Sequence, residues 1–222
     1  MKYFINLLVI LCILSCNTNN DLIKSQTYFD KEKTKLESEG DIEKTTQLKE
    51  GQWKFYTPKG ELAKSGNYKN GKQTGTWEYF LPNKQKGELV DGKKEGLWKS
   101  FDKDGNLSSI VNYVNDQKIG KCESYYKDGS LMTESYYKND KLNGPYIYFN
   151  QRNGDTTLYT TYINDQRDGL FKKYADGKPY VVGYWKPNIG FVGEVRHYRN
   201  ETLVEIEYKD DHGKTISKET FY

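Results

Sequence analysis

The sequence predicts an all-β protein built as an elongated, single-sheet array of antiparallel β-hairpins, and three observations carry that reading. A glycine recurs at Gly51, Gly75, Gly96, Gly120, Gly144, Gly169 and Gly193, at steps of 24, 21, 24, 24, 25 and 24 residues. A fixed period in that range marks a repeat architecture. Side chains keep fixed distances from it: Trp53, Trp77, Trp98, Cys122, Tyr146, Phe171 and Val195 stand two residues after, and Tyr56, Phe80, Phe101, Tyr125, Phe149, Tyr174 and Tyr198 five after. The second row is aromatic in every unit although aromatic residues make up 15% of the chain, so chance is a poor account of it. Finally, units close on Asn70-Gly71, Asp91-Gly92, Asn115-Asp116, Asn139-Asp140 and Asn164-Asp165, of which Asn-Gly best tolerates positive φ at both centres of a tight hairpin turn.

Taken in order, the chain starts with Met1-Lys2, the apolar run Leu7 to Leu14 and Ser15-Cys16, the layout of a secretory signal. The run is too short for a bilayer, which takes ~20 apolar residues. Ile13-Leu14-Ser15-Cys16 resembles the lipobox of bacterial lipoproteins, which implies a signal peptide over 1–15, lipidation of Cys16 and a lipid anchor in the cell envelope, at the outer membrane. Cleavage there removes one charged group, Lys2 of the 34 basic side chains, against 31 acids, a net of +2. On net charge the chain reads as no electrostatic polymer binder. Cys12 leaves with the signal and Cys16 takes lipid, so Cys122 is a lone thiol and reads as a small core residue. Residues 16–50 are polar and charged and read as lipidated cysteine plus tether, with a short helix over Asp30–Glu39 and a strand over Thr45–Leu48 expected inside it.

From residue 51 to 222 the pattern gives seven two-strand units. In the first, Trp53, Phe55 and Tyr56 suit a half-buried strand, Pro58-Lys59-Gly60 turns the chain, and Leu62 to Tyr68 returns. About fourteen strands at ~4.8 Å make a ribbon roughly 65 Å long. Mean hydropathy of −0.93 is thin for a two-layer core, but a repeat array needs less, since each hairpin buries its apolar face against its neighbours. Strand alternation puts the residues two and four after the glycine on one aromatic face and those three after on a face that reads Lys54, Glu78, Lys99, Glu123, Ile147, Lys172, Arg196. The row five after falls on the charged face by parity, against its aromaticity. Either a bulge turns it inward or both faces carry an aromatic stripe. The unit from Gly75 is three residues short, and the last unit, irregular and charged, suits an exposed sheet edge.

Chemistry-bearing patterns are sparse. Asp102-Lys103-Asp104-Gly105-Asn106 lacks the outer ligands of a calcium loop, with Ser100 and Val111 where acids would stand, and reads as a hairpin turn, like Asp128-Gly129, Asn153-Gly154-Asp155 and Asp176-Gly177. The glycines read as hairpin corners and not as a phosphate cradle. His197 and His212 fall in the divergent C-terminal region, outside the regular units and beside no motif serine or cysteine. The alternating charges argue against nucleic acid. No catalytic residue, cofactor or metal is therefore assigned.

Gly51-Gln-Trp53-x-x-Tyr56, Gly75-Thr-Trp77-x-x-Phe80 and Gly96-Leu-Trp98-x-x-Phe101, each followed by a return strand toward Tyr-x-Asn-Gly or its remnant, resemble variant MORN repeats over about residues 51–208. Bacterial chains of this pattern are similar to YwqK-type antitoxins. The resemblance implies an elongated β-repeat that binds partners and catalyses nothing. The expected function is a non-enzymatic, lipid-anchored scaffold binding a protein partner, with a toxin inhibitor and a carbohydrate or peptidoglycan binder as the other readings. The row of Trp53, Trp77 and Trp98 reads as core.

Overall fold

The computed structural model describes residues 21–222 and is all β. Two strands come first, β1 (Leu22–Tyr28) and β2 (Leu36–Glu43). Seven hairpins follow: β3 (Lys49–Tyr56) with β4 (Leu62–Lys69), β5 (Lys72–Tyr79) with β6 (Gln85–Val90), and β7 (Lys93–Phe101) with β8 (Leu107–Val114). Next are β9 (Gln117–Tyr125) with β10 (Leu131–Lys138), β11 (Lys141–Phe149) with β12 (Thr156–Ile163), and β13 (Gln166–Ala175) with β14 (Lys178–Lys186). The seventh is β15 (Gly190–Arg199) with β16 (Thr202–Lys209), and β17 (Thr215–Thr220) ends the array. Each strand pairs antiparallel with its chain neighbour in one open sheet of seventeen strands. The seven predicted units are present, with three further strands flanking them.

The flanking strands correct the tether reading from residue 21 onward. Charge alone does not prevent pairing when opposite charges meet across the ladder, and Lys24 meets Asp41 at 2.8 Å. The helix expected over Asp30–Glu39 is absent. The Asp30 carboxylate accepts the backbone N–H groups of Thr34 and Lys35 at 3.0 and 2.9 Å, closing a loop, and Leu36 starts a strand. Thr45–Leu48 is turn and connection, not strand, pinned where the Glu43 carboxylate accepts the N–H groups of Thr45 and Thr46. Cys16 and the expected signal peptide lie outside the described residues.

Turns between units take the predicted form. Asn70 and Gly71 have φ of 50° and 74°, Asn115 and Asp116 50° and 71°, and Asn139 and Asp140 50° and 66°. The aspartates do more than tolerate that backbone. Asp116, Asp140 and Asp165 each accept a backbone N–H from the preceding unit, from Lys94, Lys118 and Leu142 at 2.7, 2.9 and 2.7 Å. Their own N–H groups return to the carbonyls of the same three residues at 3.0, 3.1 and 3.0 Å. Successive turns are thereby clasped together along one side of the ribbon.

Two register shifts per unit shape the sheet. The unit-opening glycines lie inside the leading strands and not at hairpin corners, a correction of the sequence reading. Ser65 pairs with Glu78 and Asn67 with Thr74, so Gly75, Thr76 and Trp77 stand opposite Gly66 alone. Gly75 takes φ of 66° to make this bulge, a conformation that side chains with a Cβ avoid. The second shift puts an extra residue on the return strand, as Ala63 between Lys64, paired with Phe55, and Leu62, paired with Tyr56. The short unit of β5 and β6 lacks it.

Candidate functional site

The bulge decides what the aromatic face can do. By displacing Trp77 along its strand, it lays the indole over Gly66 of the neighbouring strand, where an added Cβ would lie 2.2 Å from the ring. The indole Nε1–H then donates to the carbonyl of Asn67 at 3.2 Å. The arrangement recurs: Trp53 covers Gly40 and donates to Asp41 at 2.9 Å, and Trp98 covers Gly87 and donates to Glu88 at 3.0 Å. Trp53, Trp77 and Trp98 are 1%, 0% and 2% exposed, so the expectation that this row is core holds. Phe55, Tyr68, Tyr79 and Tyr113 pack against Trp77, Leu89 and Trp98. Tyr68 meets Trp77 edge to face at 5.4 Å between centroids.

Later units rebuild the same positions with other volumes. Trp98 pairs with Val111 and Val111 with Cys122, so where the glycine seat becomes valine the indole becomes a thiol. Cys122 is buried, and burial pushes its thiol pKa up, as a core role requires. Ser135 and Thr160 are the seats beside Tyr146 and Phe171, and Tyr146 is half-buried where the rest of its row is buried. Gly183 again seats bulk, from Phe191 and Val195, and Val195 is 1% exposed.

Cations cap this face. Lys49 Nζ lies 4.2 Å from the Trp53 ring centroid, Lys64 Nζ 4.9 Å from Phe55, Lys94 Nζ 4.2 Å from Trp98, and Lys118 Nζ 5.2 Å from Tyr137. The Arg167 guanidinium lies 5.0 Å from Trp185. Such contacts stabilise by roughly 0.5–1 kcal/mol each at exposed sites. Burial against the rings, and then repulsion from Lys64, hold Lys49 below the usual lysine pKa. Burial does the same for Lys94.

The opposite face carries the row five after the glycine. Tyr56 donates its hydroxyl to Glu39 at 2.7 Å, and Glu39 pairs with Lys54 across the ladder, which places all three on the charged face. Tyr125 donates likewise to Glu123 at 2.6 Å. Both faces therefore carry an aromatic stripe, because the bulge before the turn sits on the return strand and leaves the leading strand's parity intact. Tyr56, Phe80, Phe101, Tyr125, Phe149, Tyr174 and Tyr198 are all half-buried. Ions on this face are balanced: Lys121 bridges Glu123 and Glu134 at 2.8 Å each. A shallow depression of about 570 Å³ between Lys24, Gln26, Glu39, Asp41 and Lys54 is lined by groups already paired with one another.

One metal-ligating grouping occurs among the described residues: His197, Glu205 and Glu207, whose ligand atoms lie within 4.8 Å of one another. His197 sits in β15, inside the seventh regular unit, which corrects its placement outside the units; His212 is in the loop before β17. Lys218 contacts both carboxylates and Lys209 lies 3.0 Å from Glu207, so a cation there would have to displace two lysines. The Asp102 carboxylate accepts the N–H groups of Asp104 and Asn106, both at 2.9 Å, which makes its loop the turn that was expected.

Fold and face together define a hairpin-repeat protein whose extended surfaces are two broad sheet faces of unlike character. Residues 49–70, 94–115 and 118–139 match the family model for the MORN repeat variant. The crystal structures of TcdB2-TccC3-TEV and TcdB2-TccC3 align with 90% of this chain at 13% identity and TM-scores of 0.21 and 0.22. This chain spans 15% of the length of each, and at those scores neither alignment bears on fold or function. A comparison with curated proteins returned no match.

Proposed function

We propose that the chain is a non-enzymatic interaction scaffold of a bacterial envelope, anchored through Cys16 and binding a protein partner on the face of Trp53, Trp77 and Trp98. The observation that carries this is the continuity of that face: equivalent positions repeat from unit to unit, as suits many weak contacts along an extended partner. Catalysis needs unlike groups converging at one point. A glycan would stack on open ring faces, whereas these indoles are covered by glycine backbone on one side and, at Trp53 and Trp98, capped by lysine on the other. The anchor rests on the lipobox-like residues 13–16.

Crosslinking followed by pull-down from envelope extracts tests the scaffold reading, with one specific protein partner expected and none expected from a chain denatured before mixing. Detergent partition of wild type and Cys16→Ser tests the anchor. Retention of the Ser variant in the membrane fraction, with no fatty acid incorporated by wild type, would overturn it. Turnover of an ester, phosphoester, peptide or glycan that disappears in His197→Ala or His212→Ala would replace the scaffold reading with an enzyme.

A further inference from the structure

The ionisable side chains divide between the two faces with an asymmetry that the net charge conceals. Between β3 and β13 the ladder positions on the tryptophan face hold Lys49, Lys64, Lys94, Lys118, Arg167 and Lys173, and no Asp or Glu. None of the six forms an ion pair among the described residues, and residues 1–20 contain no acid that could supply one. Acids of these strands lie on the other face or at the turns. The run ends at the C-terminal units, where Glu205 and Glu207 occupy this face beside Lys209 and Lys218.

Resting on the scaffold reading, we infer that the partner segment is an extended, Asp/Glu-rich polypeptide laid across the strands of the tryptophan face, its carboxylates meeting these six cations. From β3 to β13 is ten strand spacings, about 48 Å at ~4.8 Å each. An extended peptide of about 15 residues spans that distance. Carboxylates suit the cations because the heads of Lys49, Lys64, Lys94 and Lys118 stand over aromatic rings, which leaves their other side to take a small anion. Single-stranded nucleic acid is disfavoured, since it relies on stacking bases against open rings, and the tryptophans here have none to offer.

The test uses the full chain in a mild non-ionic detergent and a fluorescent 15-residue glutamate-rich peptide, with the neutral peptide that has glutamine at every glutamate and a 15-nucleotide oligo-dT as comparators. Anisotropy should show the acidic peptide alone bound, more weakly as salt rises. The triple variant Lys49→Gln, Lys64→Gln, Lys94→Gln should lose about tenfold in affinity or more. The opposite-face triple Lys54→Gln, Lys86→Gln, Lys99→Gln should not, and thermal melts of both establish that they fold. No binding of the acidic peptide, equal losses in the two triples, or binding of oligo-dT in its place would each overturn the inference. If the envelope pull-down still retrieves its partner with the first triple, the scaffold reading stands and this inference falls; peptide binding without any envelope partner gives the reverse.

Discussion

The indole of Trp77 lies on the backbone of Gly66 one strand away, with its Nε1–H bonded to Asn67, the residue that follows the glycine. The pair is one part made from two residues: the bulge at Gly75 brings the ring over, and the missing Cβ lets it land. Truncating such a buried aromatic costs ~3–5 kcal/mol. Trp77→Ala should therefore lower the urea midpoint strongly, and Gly66→Ala by ~1–3 kcal/mol through overpacking. In the Trp77→Ala background the Gly66→Ala cost should vanish, because nothing remains for the methyl to strike. Additive losses would argue against the seat. Val195 is equally buried, so Val195→Ala should cost roughly 2 kcal/mol, less than Trp77→Ala but more than its place in the last hairpin suggests.

Val111 and Cys122 are the same part with its volumes redistributed. Cys122→Trp alone should destabilise by ~1–3 kcal/mol, since the ring would meet the valine side chain. Adding Val111→Gly should recover most of that loss by rebuilding the seat found under Trp77. Thermal melts of the three proteins decide it, and a double variant no better than Cys122→Trp would refute the compensation.

The turn clasps separate backbone from side-chain effects. Asp140→Gly keeps the positive φ and removes only the carboxylate that accepts the Lys118 N–H, whereas Asp140→Ala loses both. Asp140→Ala should cost ~1–2 kcal/mol, and Asp140→Gly distinctly less. Hydrogen exchange at the Lys118 amide should rise in both.

Acid should act at the turn between β2 and β3. Hydrogen bonds, first from Thr46 and then from Thr45, hold the Glu43 carboxyl at about 2, against an ordinary 4.5. A carboxyl with a lowered folded value stabilises above the unfolded value and loses that contribution as pH falls through the folded one. Wild type should thus lose more melting temperature than Glu43→Gln between pH 4.5 and 2. Parallel losses in the two would show that Glu43 does not carry its share.

By itself the sequence determined the repeat: the period of the glycines, the aromatic rows and the Asn-Gly or Asn-Asp turns are local requirements of backbone conformation, written within each hairpin. It determined as well that Trp53, Trp77 and Trp98 are core. The strands at Leu22–Tyr28 and Leu36–Glu43 were not legible, because their pairing is satisfied by partners across the ladder and their charged composition matches that of a tether. The facing of Tyr56 was undecided for a related reason, since a bulge reverses parity only on the strand that carries it, and which strand that is depends on the pairing. The unopposed basic run was only partly legible. Lys49, Lys94, Lys118 and Arg167 each stand two residues before a unit glycine, so that row is written in the sequence, but that Lys64 and Lys173 join it and that no acid of these strands shares the face follows only from the pairing. Conformation within a hairpin is fixed by neighbours in sequence; the electrostatics of a face are fixed by neighbours across the sheet, and only the tertiary structure places those.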